Sequence, residues 1–246
     1  MKIIICDDNQ EFSAMLSDEV KKILHSNERY SMLDIECRCI YPASKVIEYA
    51  DTEHIDILFL DINMPDTNGF ETAERFYNEH KDTYIIFVSD IENYVFYAIR
   101  FNPFRFIRKP NLSNELTEAL TSALDEILIS DRQIEVCNRD ECVSLNISRI
   151  VYIEKEKRGN YLNIRSIDGN YRHRCNLVHI AEELSDAYFV KINSGTIINM
   201  KHIMTIRQEG TVLMSDNSVL TVSRKYLPEL TSSYIKYMRN KKGGVR

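Results

Sequence analysis

The fold of the first half of this chain is constrained most by four polar fragments. Each of them directly follows a short apolar run. The runs are rich in β-branched and aromatic residues, as are strands buried on both faces of a parallel sheet. The fragments are Asp7-Asp8, Asp61, Ser89 and Lys109-Pro110. In a doubly wound α/β sheet the carboxyl ends of the strands meet at one edge, where ligands bind. The pattern therefore predicts one site that contains three carboxylates, a hydroxyl and an ammonium group.

The spacing of apolar residues divides the chain into two halves of different fold class. Strand-like runs at 2–6, 33–40, 56–60, 83–88 and 104–107 alternate with helical periodicity and predict a doubly wound, five-stranded parallel sheet. After residue 131 many short β-branched runs are separated by turn signals, which predict a mostly β domain with hairpins. We expect an α/β domain at 1–129, a short linker at 130–131, a β-rich domain at 132–239 and a flexible tail at 240–246.

Charge is distributed unevenly between these halves. Residues 1–131 contain 12 Lys and Arg against 25 Asp and Glu, a balance of −13, and residues 132–246 contain 19 against 12, a balance of +7; the sum is the formal charge of −6. An acidic half suits a site for a metal ion and phosphate, and a basic half suits a polyanionic partner.

Six cysteines show no spacing typical of a metal site. Cys137 and Cys142 could face each other on a hairpin, but a redox role for this pair is the less favoured interpretation. No apolar stretch approaches the length of a transmembrane helix, and the N-terminus runs directly into a strand. We therefore expect a cytoplasmic protein without membrane insertion.

The predicted site in the first half has the groups needed to accept a phosphoryl group. Asp61 ends the most apolar run and is the candidate nucleophile, because a carboxylate can form an aspartyl phosphate. Lys109 would neutralise the phosphoryl oxygens, and Ser89 would donate a hydrogen bond to them. Mg²⁺ prefers a few carboxylates completed by water and phosphate oxygens. Its expected ligands are Asp7, Asp8, Asp61 and the carbonyl of Asn63.

Residues 1–128 resemble the receiver domains of bacterial two-component response regulators. The resemblance rests on Asp7-Asp8, Asp61-Ile62-Asn63-Met64-Pro65, Ser89 and Lys109-Pro110. It implies phosphorylation of Asp61 by a sensor histidine kinase, and a switch in which Ser89 moves together with an aromatic residue, Phe106 or Phe104. It also implies a homodimer formed through the face at about 91–128.

Asp90 departs from the receiver pattern, because the residue after the switch hydroxyl is normally small in that family. A carboxylate at this position could repel an incoming phosphodonor or slow the loss of the phosphoryl group. The alternative is that Asp90 caps the N-terminus of a helix that starts at Ile91.

Residues 132–239 resemble the LytTR family of β-rich DNA-binding domains. The matching segments are Ile150–Glu154, Tyr161–Ile164, Asn176-Leu177, Phe189–Asn193, Ile197–Met200 and Val222–Arg224. The resemblance implies that loops between strands read the major groove of double-stranded promoter DNA. The residues implied in contact with DNA are Lys155, Arg158, Asn160, Lys191, Asn193, Ser194, Arg224 and Lys225. Asn199 is flanked by Ile198 and Met200 and is expected to be a buried turn-former rather than a DNA contact.

Together these features predict a phosphorylation-dependent transcription regulator that is not an enzyme. One rival function is a phosphohydrolase or phosphotransferase, but Asn63 stands where such an enzyme would have a general acid two residues after Asp61. A second rival is a receiver protein whose basic β domain binds protein or RNA instead of promoter DNA.

Overall fold

A computed structural model of the chain describes residues 1–65, 69–90, 94–101, 103–185 and 187–242. Its residues separate into one unit at 1–125 and a second at 126–240. Within the described ranges, no helix has both the length and the apolar composition required to cross a lipid bilayer.

In the first unit the described strands form one parallel sheet in the order β2-β1-β3-β4-β5. These strands are β1 (Lys2–Cys6), β2 (Glu36–Cys39), β3 (Ile57–Asp61), β4 (Tyr84–Ser89) and β5 (Arg105–Arg108). The order reverses beside β1, so the crevice at the carboxyl ends of β1 and β3 is the expected ligand position in a doubly wound sheet. The predicted five-stranded architecture is confirmed.

Helices connect these strands and follow the last of them. They are α1 (Gln10–Ser26), α2 (Glu28–Ser31), α3 (Ala43–Ala50), α4 (Gly69–Glu79), α5 (Tyr94–Ala98) and α6 (Leu112–Asp131). Both faces of the sheet are covered, because Ile3 and Ile5 are buried on one face while Ile4 and Cys6 are buried on the other. Residues 130–131, expected to be a short linker, are instead the last two residues of α6.

The second unit is built mainly from antiparallel strands. The strands are β6 (Gln133–Cys137), β7 (Cys142–Asn146), β8 (Ile150–Lys155), β9 (Leu162–Ser166), β10 (Gly169–His173), β11 (Phe189–Asn193), β12 (Thr196–Asn199), β13 (Ile203–Arg207), β14 (Thr211–Met214) and β15 (Val219–Thr221). Those described form a sheet in the order β10-β9-β8-β12-β11, a second sheet in the order β13-β14-β15, and the hairpin β6-β7.

Apolar side chains on the two faces of the larger sheet pack into separate cores. On one face Ile153 and Ile164 pack with Ile180 of helix α7 (Leu177–Glu183). On the other face Ile198 packs with Val212 and with Leu230 of helix α8 (Leu227–Lys242). Alternate residues of each strand point to opposite faces, which explains how one sheet supplies both cores. Helix α8 was not predicted from the sequence, and it extends into the expected tail; residues 243–246 lie outside the described ranges.

Candidate phosphoacceptor site and nucleic-acid interface

Three carboxylates converge at the carboxyl edge of the parallel sheet. Asp7 and Asp8 follow β1, and Asp61 is the last residue of β3. The register of β1 against β3 pairs Cys6 with Leu60, which brings the two strand ends to the same level. One oxygen from each carboxylate lies within 4.8 Å of the others. The predicted convergence of these side chains is therefore present in the fold.

Lys109 places its ammonium group between two of these carboxylates. Its Nζ atom lies 3.0 Å from Asp61 Oδ2 and 2.7 Å from Asp7 Oδ2. Burial lowers the pKa of Lys109, but the hydrogen bonds and charges of Asp7 and Asp61 outweigh burial, so the net shift of the pKa is upward. Lys109 is therefore a fixed positive charge in the site.

Asp61 is 4% exposed, so its carboxylate has lost most of its hydration. Burial raises the pKa of Asp61, and the Lys109 ammonium opposes this rise. The backbone N–H of Asn63 also donates to Asp61 Oδ1 at 3.3 Å. A carboxylate with little hydration and one nearby cation has the environment expected of a nucleophile that accepts a phosphoryl group.

An open cavity of about 250 Å³ gives solvent molecules access to Asp61. Its lining residues are Asp8, Asn9, Asp61, Asn63, Ser89, Asp90 and Lys109. Ser89 is the last residue of β4 and is buried. Asp90, the next residue in the chain, is exposed. The alternative role for Asp90, as cap of a helix starting at Ile91, concerns residues outside the described ranges.

The donor set of this site fits Mg²⁺. Asp7, Asp8 and Asp61 provide hard carboxylate oxygens, and the cavity beside them has room for the water and phosphate oxygens that this cation retains. The three carboxylates carry three negative charges, of which Lys109 balances one. A divalent cation would balance the remaining two, so the charge of the site is consistent with such an ion.

Gly69, the first residue of α4, packs against the backbone of Asp61 and Ile62. Its N–H donates to the Ile62 carbonyl at 3.1 Å. A Cβ atom at Gly69 would lie only 2.2 Å from the Asp61 carbonyl oxygen and 2.7 Å from the Ile62 Cα atom. No side chain fits there, so a glycine is required for the helix to start this close to Asp61.

Phe106 lies on β5, one strand from the cavity. It is half-buried, and its ring centroid lies 6.4 Å from that of Phe87 on β4. Phe87 also contacts Phe70, whose ring centroid is 5.7 Å away. Phe104, the alternative switch residue, is buried and packs on Tyr84 at the opposite end of the strand pair. Phe106 is therefore closer along β5 to Lys109 and the site.

In the second unit, backbone hydrogen bonds bring the three predicted DNA-contacting segments together. The Lys155 N–H donates to the Gly195 carbonyl at 2.8 Å, which joins the first segment to the second. The Ser223 N–H donates to the Ile192 carbonyl at 2.9 Å, which joins the second to the third. The predicted segments 155–161, 193–194 and 224–225 are thus held, through these adjoining residues, at one edge of the domain although about 70 residues separate the first from the last.

Most of the predicted DNA-contacting side chains at this edge are available to solvent. The exposed members are Lys155, Arg158, Asn160, Ser194, Arg224 and Lys225. Lys191 is half-buried, with its Nζ atom 6.0 Å from the centroid of the Tyr226 ring, and Lys225 Nζ lies 5.7 Å from the same centroid. Several positive side chains therefore surround the edge formed by the three segments, as expected for a phosphate-binding surface.

Asn193 differs from the other members because its amide is already hydrogen-bonded inside the domain. Its Oδ1 atom accepts from the Gly195 N–H at 2.8 Å, and its Nδ2 atom donates to the Thr221 carbonyl at 3.3 Å. These bonds hold the turn between β11 and β12 against the end of β15. The geometry favours a role for Asn193 in positioning Ser194 over direct contact with a base.

Arg172, which the sequence analysis did not single out, holds the first segment in place. Its guanidinium forms two hydrogen bonds to Glu156, at 2.8 and 2.9 Å, and lies 3.7 Å from the centroid of the Tyr161 ring. Glu156 in turn closes the segment, because its N–H donates to the Tyr161 carbonyl at 3.0 Å. The negative charge of Glu156, which lies among the basic residues of this segment, is thus paired with Arg172 within the domain.

Asn199 is fully buried, as expected of a turn-former. Its Nδ2 atom donates to the carbonyls of Ile147 and Ile150, and its Oδ1 atom accepts from the Lys201 N–H at 2.9 Å. All of these partners are backbone groups that would otherwise lose hydrogen bonds on burial.

Comparisons with known families agree with the two folds. Residues 3–121 match the response regulator receiver domain, and residues 140–234 match the LytTr DNA-binding domain. The chain therefore belongs to the response regulators that join a receiver domain to a LytTR domain.

Individual relatives have the same extent as this chain. The sensory transduction protein LytT of Bacillus anthracis is 24% identical over 249 residues, covering 94% of this chain and 97% of the relative. The sensory transduction protein LytR of Staphylococcus epidermidis is 23% identical and covers 99% of both chains. Among solved structures, the response regulatory domain of protein mrkE from Klebsiella pneumoniae is 20% identical, covers 51% of this chain and 97% of its own, and has a TM-score of 0.43.

Proposed function

We propose that this chain is a transcription regulator switched by phosphorylation of Asp61. A sensor histidine kinase would supply the phosphoryl group, the phosphorylated receiver would form a homodimer, and the paired LytTR domains would bind repeated sites in promoter DNA. A protein with these partners acts in the cytoplasm. The observation that carries the proposal is the cavity in which Asp61 lies beside Asp8, Ser89 and Lys109.

In the proposed reaction an Asp61 carboxylate oxygen attacks the phosphorus atom of the donor, and the bond from phosphorus to the donor nitrogen breaks. Bound Mg²⁺, held by Asp7, Asp8, Asp61 and the Asn63 carbonyl, would shield the charge of the phosphoryl oxygens. Lys109 is placed to transfer its interaction from the Asp61 carboxylate to a phosphoryl oxygen. Ser89 lines the cavity and can donate its hydroxyl hydrogen to another of these oxygens.

The proposed switch couples Ser89 to Phe106. A Ser89 side chain drawn toward the phosphoryl group leaves space beside β4, and the half-buried Phe106 ring on the neighbouring strand can occupy it. The receiver face at about 91–128, of which residues 91–93 and 102 lie outside the described ranges, would then pair with a second copy. Two linked LytTR domains gain affinity for two sites because the second contact is made at high effective concentration.

On DNA we propose different roles for the exposed and the internally bonded residues. Arg224 and Asn160 are exposed and carry the groups that pair with guanine and adenine in the major groove. Lys155, Arg158, Lys191 and Lys225 would contact phosphates. Asn193, whose amide is bonded to Gly195 and Thr221, would position Ser194 in the groove.

The second candidate function is a receiver protein whose basic domain binds RNA or protein. The observation that keeps it open is Tyr161, an aromatic residue in the first segment, since bases stack on such side chains in single-stranded RNA. Its ring, however, is covered on one face by the Arg172 guanidinium, which favours a role inside the domain.

A competition experiment distinguishes these functions. The full chain is bound to labelled duplex promoter fragments at fixed salt and challenged with unlabelled duplex DNA, single-stranded RNA or no competitor. The proposed function predicts that duplex DNA competes at least about tenfold better than RNA, as major-groove recognition requires. More effective competition by RNA would overturn the promoter-DNA proposal.

A further inference from the structure

The hairpin β6-β7 carries a disulfide bond whose position suggests a second input to the LytTR domain. Cys137 and Cys142 face each other in the register of the two strands, with their Cα atoms 4.1 Å apart and their sulfur atoms bonded. Cys142 is exposed and Cys137 is half-buried, so thiols and disulfides in solution can reach the bond. The other cysteines, Cys6, Cys37, Cys39 and Cys175, are free.

The hairpin does not depend on this bond for its attachment to the domain. Ile134, Val136 and Leu145 of β6 and β7 are buried in the core around Ile153 and Ile180. The bond joins the strands beside the turn at 138–141, of which residues 139–141 are exposed. Reduction should therefore loosen this end of the hairpin while its buried part stays folded.

The loosened end is bonded to strand β10. The Cys137 carbonyl accepts from the Arg174 N–H at 2.8 Å, and the Cys137 N–H donates to His173 Nδ1 at 3.0 Å. These two bonds connect the residue that carries the disulfide to the last residue of β10 and the one after it. Cys137 therefore fixes the carboxyl end of an edge strand.

Arg172, the residue before His173, carries this connection to the first DNA-contacting segment. Its guanidinium is hydrogen-bonded to Glu156 and covers the Tyr161 ring. It therefore contacts both ends of the part of the first segment that spans residues 156–161. A displacement of the end of β10 changes the position of Arg172 directly. The path from the disulfide to this segment is therefore Cys137, His173, Arg172 and then Glu156 with Tyr161.

We propose that Cys137 and Cys142 form a reversible thiol–disulfide modification site that sets the order of the segment 156–161. The oxidant would be a low-molecular-weight disulfide. The Cys142 thiolate attacks one sulfur of this disulfide and releases one thiolate, and the Cys137 thiolate then attacks the Cys142 sulfur and releases the second. The two electrons and, by way of solvent, the two protons lost by Cys137 and Cys142 pass to the oxidant, whose two thiolates leave as two thiols.

The oxidised state is the ordered state in this proposal. With the disulfide formed, Arg172 is held against Glu156 and Tyr161, and the segment needs less ordering when it binds a partner. In the reduced state the segment is less ordered, so it must lose more conformational freedom on binding and binds less tightly. The consequence for DNA affinity rests on the proposed function, whereas the state of the thiols and the order of the segment can be measured without DNA. In the cytoplasm disulfides are mostly transient and redox-sensing, which agrees with a switch.

The test uses the full chain equilibrated in glutathione buffers of varied thiol-to-disulfide ratio. Alkylation and mass spectrometry give the fraction of Cys137 and Cys142 that is oxidised, and hydrogen exchange gives the protection of residues 156–161 in the same samples. We expect both cysteines to titrate together as a two-electron pair. Exchange in 156–161 should become at least about threefold faster on reduction, while exchange in β13 and β14 stays constant.

Two variants complete the test. Cys175→Ser removes a nearby free thiol and should leave the titration and the exchange unchanged. Arg172→Ala should leave the titration unchanged but make exchange in 156–161 independent of the redox state. The proposal is overturned if the pair stays in one state across all buffers, if reduction leaves exchange in 156–161 unaltered, or if the Arg172→Ala chain still responds to reduction.

Discussion

Lys109 Nζ lies 3.0 Å from Asp61 Oδ2, and the same ammonium lies 2.7 Å from Asp7 Oδ2. One cation is therefore shared by two carboxylates that are 3% and 4% exposed. Without Lys109 these carboxylates would face each other in a buried position with no positive charge between them. Lys109 consequently has a structural role in the unphosphorylated receiver, and this role is separate from any contact with a phosphoryl group.

The first prediction concerns removal of this charge. Lys109→Ala should lower the free energy of unfolding of the receiver by about 3 kcal/mol in the absence of divalent cations, because it leaves buried carboxylates unpaired. Added Mg²⁺ should restore part of the loss by neutralising the same carboxylates. Chemical denaturation with and without Mg²⁺ measures both effects. Lys22→Ala removes an exposed ion pair with Glu19 and serves as the control. Equal stability of Lys109→Ala and the original chain without Mg²⁺ would contradict the account.

The second prediction tests the close approach of α4 to Asp61. Gly69→Ala places a methyl group 2.2 Å from the Asp61 carbonyl oxygen, so α4 or the end of β3 must shift. We expect a loss of about 1–3 kcal/mol in unfolding free energy. Phosphorylation of Asp61 should also be slower, because the carboxylate is displaced. Glu74→Ala, an exposed change on the same helix, should alter neither quantity; normal phosphorylation of Gly69→Ala would show that the contact is unimportant.

The third prediction concerns Asp90, which lines the cavity beside Asp61 where we propose that the phosphodonor enters. Replacing it by asparagine keeps the shape and removes one negative charge. Phosphorylation by a small anionic phosphodonor should become about fivefold faster, which corresponds to a barrier lowered by about 1 kcal/mol. Asp82→Asn removes an exposed charge elsewhere in the receiver and should leave the rate unchanged. Identical rates of phosphorylation and of phosphoryl loss in the Asp90→Asn and original chains would remove Asp90 from the mechanism.

The fourth prediction separates a base contact from a phosphate contact on neighbouring residues. Arg224→Ala should reduce the discrimination between specific and altered promoter sites by about tenfold, because a bidentate contact with guanine is lost. Lys225→Ala should weaken binding to all sequences and reduce the salt dependence of the affinity by about one charge. Binding isotherms at several salt concentrations distinguish these effects. If the two variants had the same effect on discrimination, Arg224 would not be a base-reading residue.

The site in the receiver could be predicted from the sequence because each of its side chains is positioned by the strand that directly precedes it. Asp61, Ser89 and Lys109 each follow a buried strand, and parallel strands deliver the residues at their carboxyl ends to one edge. Knowing where each strand ends was therefore enough to group the side chains. Asn199 was also predictable, since a polar residue between two apolar ones must satisfy its amide with nearby backbone groups.

The interface of the second unit could be predicted only in part. Its segments meet through backbone hydrogen bonds between residues far apart in the chain, such as Lys155 with Gly195 and Ser223 with Ile192. No local pattern specifies such pairs. The internal hydrogen bonds of Asn193 and the ion pair between Arg172 and Glu156 likewise depend on which strands become neighbours.

Helix α8 was missed although the sequence contained a signal for it. Leu227, Leu230, Tyr234 and Tyr237 recur at three- and four-residue spacing, and Leu230 is fully buried in the core beside β14. The many charged residues that follow are typical of a flexible tail. The helical spacing of the large apolar residues was the stronger indication of structure.

We propose above that phosphorylation of Asp61 controls binding of the LytTR domain to promoter DNA. The most direct test is selection of genomic DNA fragments by the purified chain at fixed salt, with and without Mg²⁺ and a small-molecule phosphodonor. We predict recovery of paired repeats about one helical turn apart, enriched by the phosphodonor and lost in Asp61→Ala. Recovery of the same fragments regardless of the phosphodonor, or of no enriched sequence in either state, would contradict the claim.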